Sequence, residues 1–154
     1  MCLGGGGSSA MEAEYQRQLA EEEARQGRIT QGKENIDAAF SGYGDDFYSN
    51  IASDYMNYAT PQIEDQYADA MKDLRIALAR SNQLQSSERI DRENDLKKRL
   101  AAQEVAAARK GQGMADTMRS NLANIKSNLL TQNASLADPT LIASTAANQI
   151  MANT

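Results

Sequence analysis

Ile63, Tyr67, Ala70, Leu74 and Ala77 recur at spacings of 4, 3, 4 and 3, and the pattern then falters within "ALARSNQLQSS", residues 77–87. Such spacing marks a helix that packs along a seam, as in a coiled coil. What the chain does where the seam stops decides the fold. If it reverses, two apolar faces cover one another; if it runs on as a rod, both need a partner. Asn82 tolerates the left-handed conformation of a helix C-terminus. Ser86 and Ser87 offer N-caps for a following helix. Glu88 and Asp91 place negative charge in its first turn, as the helix dipole favours. No Gly or Pro makes the break obligatory, so a continuous rod is the alternative. The reading adopted is a hairpin reversing between Ser81 and Ser87, with Ile63, Tyr67, Leu74 and Ala77 facing Leu96 and Leu100 in antiparallel packing.

The rest of the chain also reads as helix. Residues 1–10, "MCLGGGGSSA", are expected to be a flexible leader, because a run of glycines is costly to order. A helix is expected over about 11–40, capped near Ser8 or Ser9, with a sparse stripe of Met11, Tyr15, Leu19, Ile29, Ile36 and Phe40. Gly27 and Gly32 weaken it and suggest a half-exposed or kinked helix. "SGYGDD" (41–46) is a turn. A second helix over about 46–81 contains "TPQIEDQ", in which Thr60 and Pro61 read as a cap and a first helical position. A third, over about 87–132, carries Leu96, Leu100, Ala107, Met114, Met118, Leu122, Ile125 and Leu129. Gly111 and Gly113 are a soft point that does not break its phase. A helix of that length spans on the order of 65 Å. Glu88–Arg92, Glu93–Lys97 and Asp95–Arg99 are favourable i,i+4 pairs with the acid first.

Residues 133–154 form a separate, weakly polar tail with a short helix started by Asp138 and Pro139. Its few apolar residues, Leu141, Ile142, Ile150 and Met151, give it little reason to fold alone. Packing on another subunit, shallow insertion at a membrane surface, and a frayed terminal helix all fit.

The fold class expected is therefore all-α without a β-sheet: an extended helical hairpin or long-helix bundle completed by oligomerisation. Only 5% of residues are aromatic and none is Trp. Small side chains bury little area each, at about 25 cal/mol per Å², so a thin core stabilised by partners is expected. Seven of the eight aromatic residues lie between Phe40 and Tyr67. Phe47, Tyr48, Ile51, Tyr55 and Tyr58 form the centre of that stretch, either as a local core or as a docking surface. The candidate interface comprises these five with Ile63, Tyr67, Leu74, Leu96, Leu100, Met114, Met118, Leu122, Ile125 and Leu129.

The same inventory argues against several chemistries. There is no His and one Cys, Cys2, which excludes a Cys–His dyad and ordinary Zn or Fe–S sites. The net charge of −5, with bases interleaved among acids in "ERIDRENDLKKRL", gives no basic patch for a phosphate backbone. No sequence-specific nucleic-acid binding is expected. "GGGG" lacks the Lys-Ser/Thr of a phosphate-binding loop. No run of 18 apolar residues encodes an autonomous transmembrane helix, and "MCLGGGG" lacks the apolar region of a signal peptide. No enzyme activity, metal or cofactor is expected.

The start "MC" before small residues, the Ala- and Gln-rich helices and the central "ARSNQLQSSERIDR" resemble the small internal virion (DNA-ejection) proteins of short-tailed bacteriophages. The residues that carry this are Ser81, Leu84, Ser86, Ser87 and Arg89, and "YATPQIEDQYADAMKDLRIALARS" is similar to helical virion proteins of such phages. The resemblance spans roughly residues 45–95. The chain lacks the more hydrophobic N-terminal segment of larger relatives. The resemblance implies a virion protein held near the portal, whose partners are copies of itself and portal, tail or other ejection proteins. It would leave ahead of the genome, contact the host outer membrane or periplasm through the assembly, and help form the DNA-delivery conduit. A non-ejected tail or connector component, and a helical scaffold or regulator binding one cellular partner, are the competing readings.

Overall fold

A computed structural model describes residues 7–154. The regular structure of these residues is entirely helical: α1 Gly7–Phe40, α2 Asp45–Arg80, α3 Ser87–Leu136 and α4 Pro139–Met151. The leader and Cys2 lie outside the described residues except for positions 7–10, which already belong to α1, so Ser9 sits inside that helix.

The chain forms two compact units. One comprises Tyr43–Arg119, that is α2 and the first part of α3. The other joins the residues up to Gly42 with Ser120–Thr154, that is α1, the last part of α3 and α4. The boundary expected at residue 132 is not where the chain divides, and the C-terminal tail is not a separate piece.

Between α2 and α3 the chain reverses through a Schellman-type helix end. Asn82 is left-handed at φ 57°. Its amide donates to the Ala79 carbonyl at 3.4 Å, and the Gln83 amide donates to Leu78 at 2.9 Å, the two bonds that define this motif. The expected Ser86 cap takes another form: its hydroxyl donates to the Gln83 carbonyl at 2.7 Å and so braces the turn. Glu88 lies in the first turn of α3 and pairs with Arg92 at 2.6 Å. Asp95 pairs with Lys98 at 3.7 Å rather than with Arg99.

Thr60 and Pro61 do not start a helix; Pro61 lies within α2. Proline there removes one ladder bond, to the carbonyl of Asn57. Asn57 is exposed, so water can satisfy that oxygen.

In the unit built from α1, α3 and α4, Ile36, Leu129, Ile142 and Ala146 form a fully buried cluster, flanked by Ala39, Phe40, Ile125 and Leu130. Asp138 caps α4 as expected, accepting from the amides of Thr140 and Leu141 at 3.1 and 3.0 Å, with Pro139 beside it. The tail thus packs within its own chain: Ile142, Ala146 and Ile150 are buried. Side chains of α1 hold the end of α3. Arg25 donates to the Ala134 carbonyl at 2.9 Å, and Arg28 to that of Ala137 at 3.1 Å. Two cations there satisfy carbonyls without helical partners and oppose the negative end of the helix dipole. The turn itself is made by Ala137, left-handed at φ 50°, whose amide bonds the Asn133 carbonyl at 2.9 Å.

Neither Gly32 nor Gly111 is a kink. The Asn133 side chain is buried against Gly32, and its amide donates to the Ile29 carbonyl at 2.7 Å. A Cβ on Gly32 would stand 2.6 Å from Asn133 Cγ. The glycine is the notch that admits the amide, whose oxygen accepts no hydrogen bond.

Candidate partner interface

In the hairpin unit, residues of α2 meet residues of α3 in reverse order. Near the open end, Arg119 bonds Asp45 at 2.8 Å and lies 4.7 Å from the centre of the Tyr48 ring. Tyr43, Phe47 and Tyr48 stack edge to face, with centroids 4.8 and 5.4 Å apart. Further along, Gly111 lets the helices close up: a Cβ there would stand 2.9 Å from the Ala52 carbonyl oxygen and 3.4 Å from Tyr55 Cβ. Lys110 lies over the Tyr55 ring at 5.4 Å.

Past this close approach the helices face each other through small side chains, and clefts open between them. One of about 310 Å³ is lined by Tyr55, Tyr58, Ala59, Gln62, Ile63 and Gln66 of α2 and by Gln103, Ala106, Ala107 and Lys110 of α3. A second of about 280 Å³ lies between Ala70 and Leu74 and the stretch Arg92, Asp95, Leu96 and Arg99. Leu74 thus stands across from Leu96, as the hairpin reading requires.

The structure divides the candidate interface residues into three groups. Tyr48, Leu122 and Leu129 are buried within the chain. Leu122, Ile125 and Leu129 belong to the α1–α3–α4 unit, so they build its interior rather than a face for partners. Phe47, Ile51, Tyr55, Ile63, Tyr67, Leu74, Leu96, Leu100, Met118 and Ile125 are half-buried. Tyr58 and Met114 are exposed, Tyr58 at 67%, while their neighbours Ala59 and Ala115 are buried. Ala77 is likewise exposed while Leu78 is buried. At Tyr58 and Met114 the large residue stands in the stripe while its alanine neighbour holds the inward phase; at Ala77 it is the larger neighbour, Leu78, that turns inward. Leu78 follows Leu74 by four, and Ala115 follows Gly111 by four, the spacing of one helix face.

No group of acidic or Cys side chains among the described residues is arranged to hold a metal ion. No described helix is long and apolar enough to cross a membrane. In the other unit, a hydrogen bond from Lys126 at 2.7 Å lowers the Asp37 carboxyl below its usual range, with desolvation opposing.

Comparison with protein families, curated proteins and solved structures gives no match to this chain.

Proposed function

We propose that this chain is a structural, non-enzymatic component of a short-tailed phage particle. It assembles near the portal through helical seams and leaves with the genome to help form the conduit through the host envelope. The resemblance carried by Ser81, Leu84, Ser86, Ser87 and Arg89 supports the class. The observation that carries the assembly step is the unfinished packing of the hairpin. Two helices meet through alanines and Gly111, and the large seam residues Ile63, Tyr67, Leu74, Leu96 and Leu100 stay half-buried. A two-helix layer gains stability by burying such a face against a further element.

The test is quantitative mass spectrometry of purified particles before and after DNA release. The chain is expected in full particles and depleted from emptied ones. Retention in emptied particles would make it a fixed tail or connector component. Absence from full particles would overturn the reading in favour of a cellular scaffold or regulator.

A further inference from the structure

The helix α1 runs well past the elements that cover it. Arg25 reaches the carbonyl of Ala134, close to the end of α3 at Leu136. Every residue from Ser9 to Ala24 is exposed. That stretch nevertheless carries Met11, Tyr15 and Leu19, which lie on one face at i, i+4 and i+8 and are 75%, 59% and 43% exposed. A fully exposed helix with an apolar stripe has stability to gain from a partner.

The hairpin unit has the converse shape. Its two clefts lie on one helix face, because Arg92, Leu96, Arg99, Gln103, Ala106 and Lys110 follow one another at helical spacing. From Arg92 to Lys110 this groove is about 27 Å long at 1.5 Å per residue, and the exposed stretch of α1 is about 24 Å. The groove lining mixes the apolar Ile63, Leu74, Leu96 and Ala107 with polar and charged residues. Charge is complementary. The stretch Ser9–Ala24 holds five glutamates and one arginine, whereas the groove presents Arg92, Arg99 and Lys110 against Asp95.

We propose that residues 9–24 of one copy lie as a third helix in the α2–α3 groove of a second copy. Met11, Tyr15 and Leu19 pack on the apolar lining, and Glu22, which continues their face with Glu21 and Glu23 on either side, brings the acidic end of the stretch to Arg99, an amphipathic helix in a groove. Each copy donates one helix and offers one groove, so two copies can exchange helices reciprocally, or successive copies can join head-to-tail into a ring or a filament. The inference deepens the self-association in the proposed function and rests on it.

The experiment uses the full chain with Cys2→Ser. Tyr15→Cys in one copy and Ala106→Cys in a second, size-tagged copy are mixed and treated with a short bis-maleimide. Tyr15→Cys mixed with Leu141→Cys, exposed on α4, is the control. The expected result is a mixed dimer from the first pair and little from the control. Arg99→Glu in the groove copy should abolish it, and Glu21→Lys, Glu22→Lys and Glu23→Lys in the other copy should restore it. No mixed dimer, equal yields in both pairs, or indifference to the charge changes would overturn the proposal. The assay uses no particles. A negative result with the chain still ejected removes this contact alone. A positive result with the chain absent from particles removes the phage assignment alone.

Discussion

Asn82 is the residue on which the α2–α3 reversal depends, and two substitutions there test it with opposite signs. Its φ of 57° is unfavourable for an ordinary side chain, because Cβ crowds the backbone, and Gly escapes that crowding. Asn is intermediate, since its short amide can bond locally. After allowing for the greater freedom of Gly in the unfolded chain, Asn82→Ala should be less stable than Asn82→Gly by about 1 kcal/mol. For a chain of this size that separates the melting points by ~2–4 °C. In a continuous helix the preference reverses, with Ala better than Gly by about 1 kcal/mol. Thermal melts followed by circular dichroism distinguish the cases by order alone. Asn82→Ala melting above Asn82→Gly would refute the hairpin.

Three further predictions concern packing and charge. Gly27 has open space where a Cβ would stand, so Gly27→Ala should raise the melting point by the helix-propensity difference, about 1 kcal/mol. Gly111→Ala and Gly32→Ala should lower it, since overpacking against the Ala52 backbone or displacing the Asn133 amide costs about 1–3 kcal/mol; three melts give the order. Ala137 holds the same left-handed conformation as Asn82 without a polar side chain, so Ala137→Gly should gain up to about 1 kcal/mol of stability, read as a raised denaturant midpoint at unchanged slope. The Asp37 carboxyl is lowered from 3.8 by its bond to Lys126. Its contribution is therefore present above that ordinary value and lost as pH falls through the folded one. Lys126→Met should lower the urea midpoint slightly at neutral pH, and the difference should shrink once Asp37 is protonated in both proteins, leaving the part due to Lys126 over the Phe40 ring.

Much of this architecture is legible in the sequence, because periodicity and caps are local signals. The stripe from Ile63 to Leu74, the left-handed residue at Asn82 and the Asp138–Pro139 helix start each lie within a few residues of the feature they specify. What is not legible depends on partners distant in sequence. Pro61 looks like a helix start because the sequence does not show that the carbonyl it orphans, that of Asn57, lies on an exposed residue. Gly32 and Gly111 look like weaknesses because their purpose lies in Asn133 and Ala52. Ala137 carries no mark of a turn residue, and the Arg28 side chain that its carbonyl meets is distant in sequence. At Tyr58 and Met114 a large apolar residue outweighs an adjacent alanine in a sequence pattern, whereas close helix contact selects the alanine. At Ala77 the seam spacing after Leu74 is four rather than three, which turns Leu78 inward. The tail reads as orphaned because Ile36, which buries it together with Leu129, is more than a hundred residues away in the chain.

The central claim is that this chain is completed by copies of itself. Its most direct test is the mass of the full chain across a concentration series, by sedimentation velocity with parallel thermal melts. The account predicts assemblies whose population and melting point rise together with concentration, because association stabilises only the folded form. A monomer at every concentration, melting sharply well above ~65 °C, beyond the usual range of mesophile domains, would contradict it.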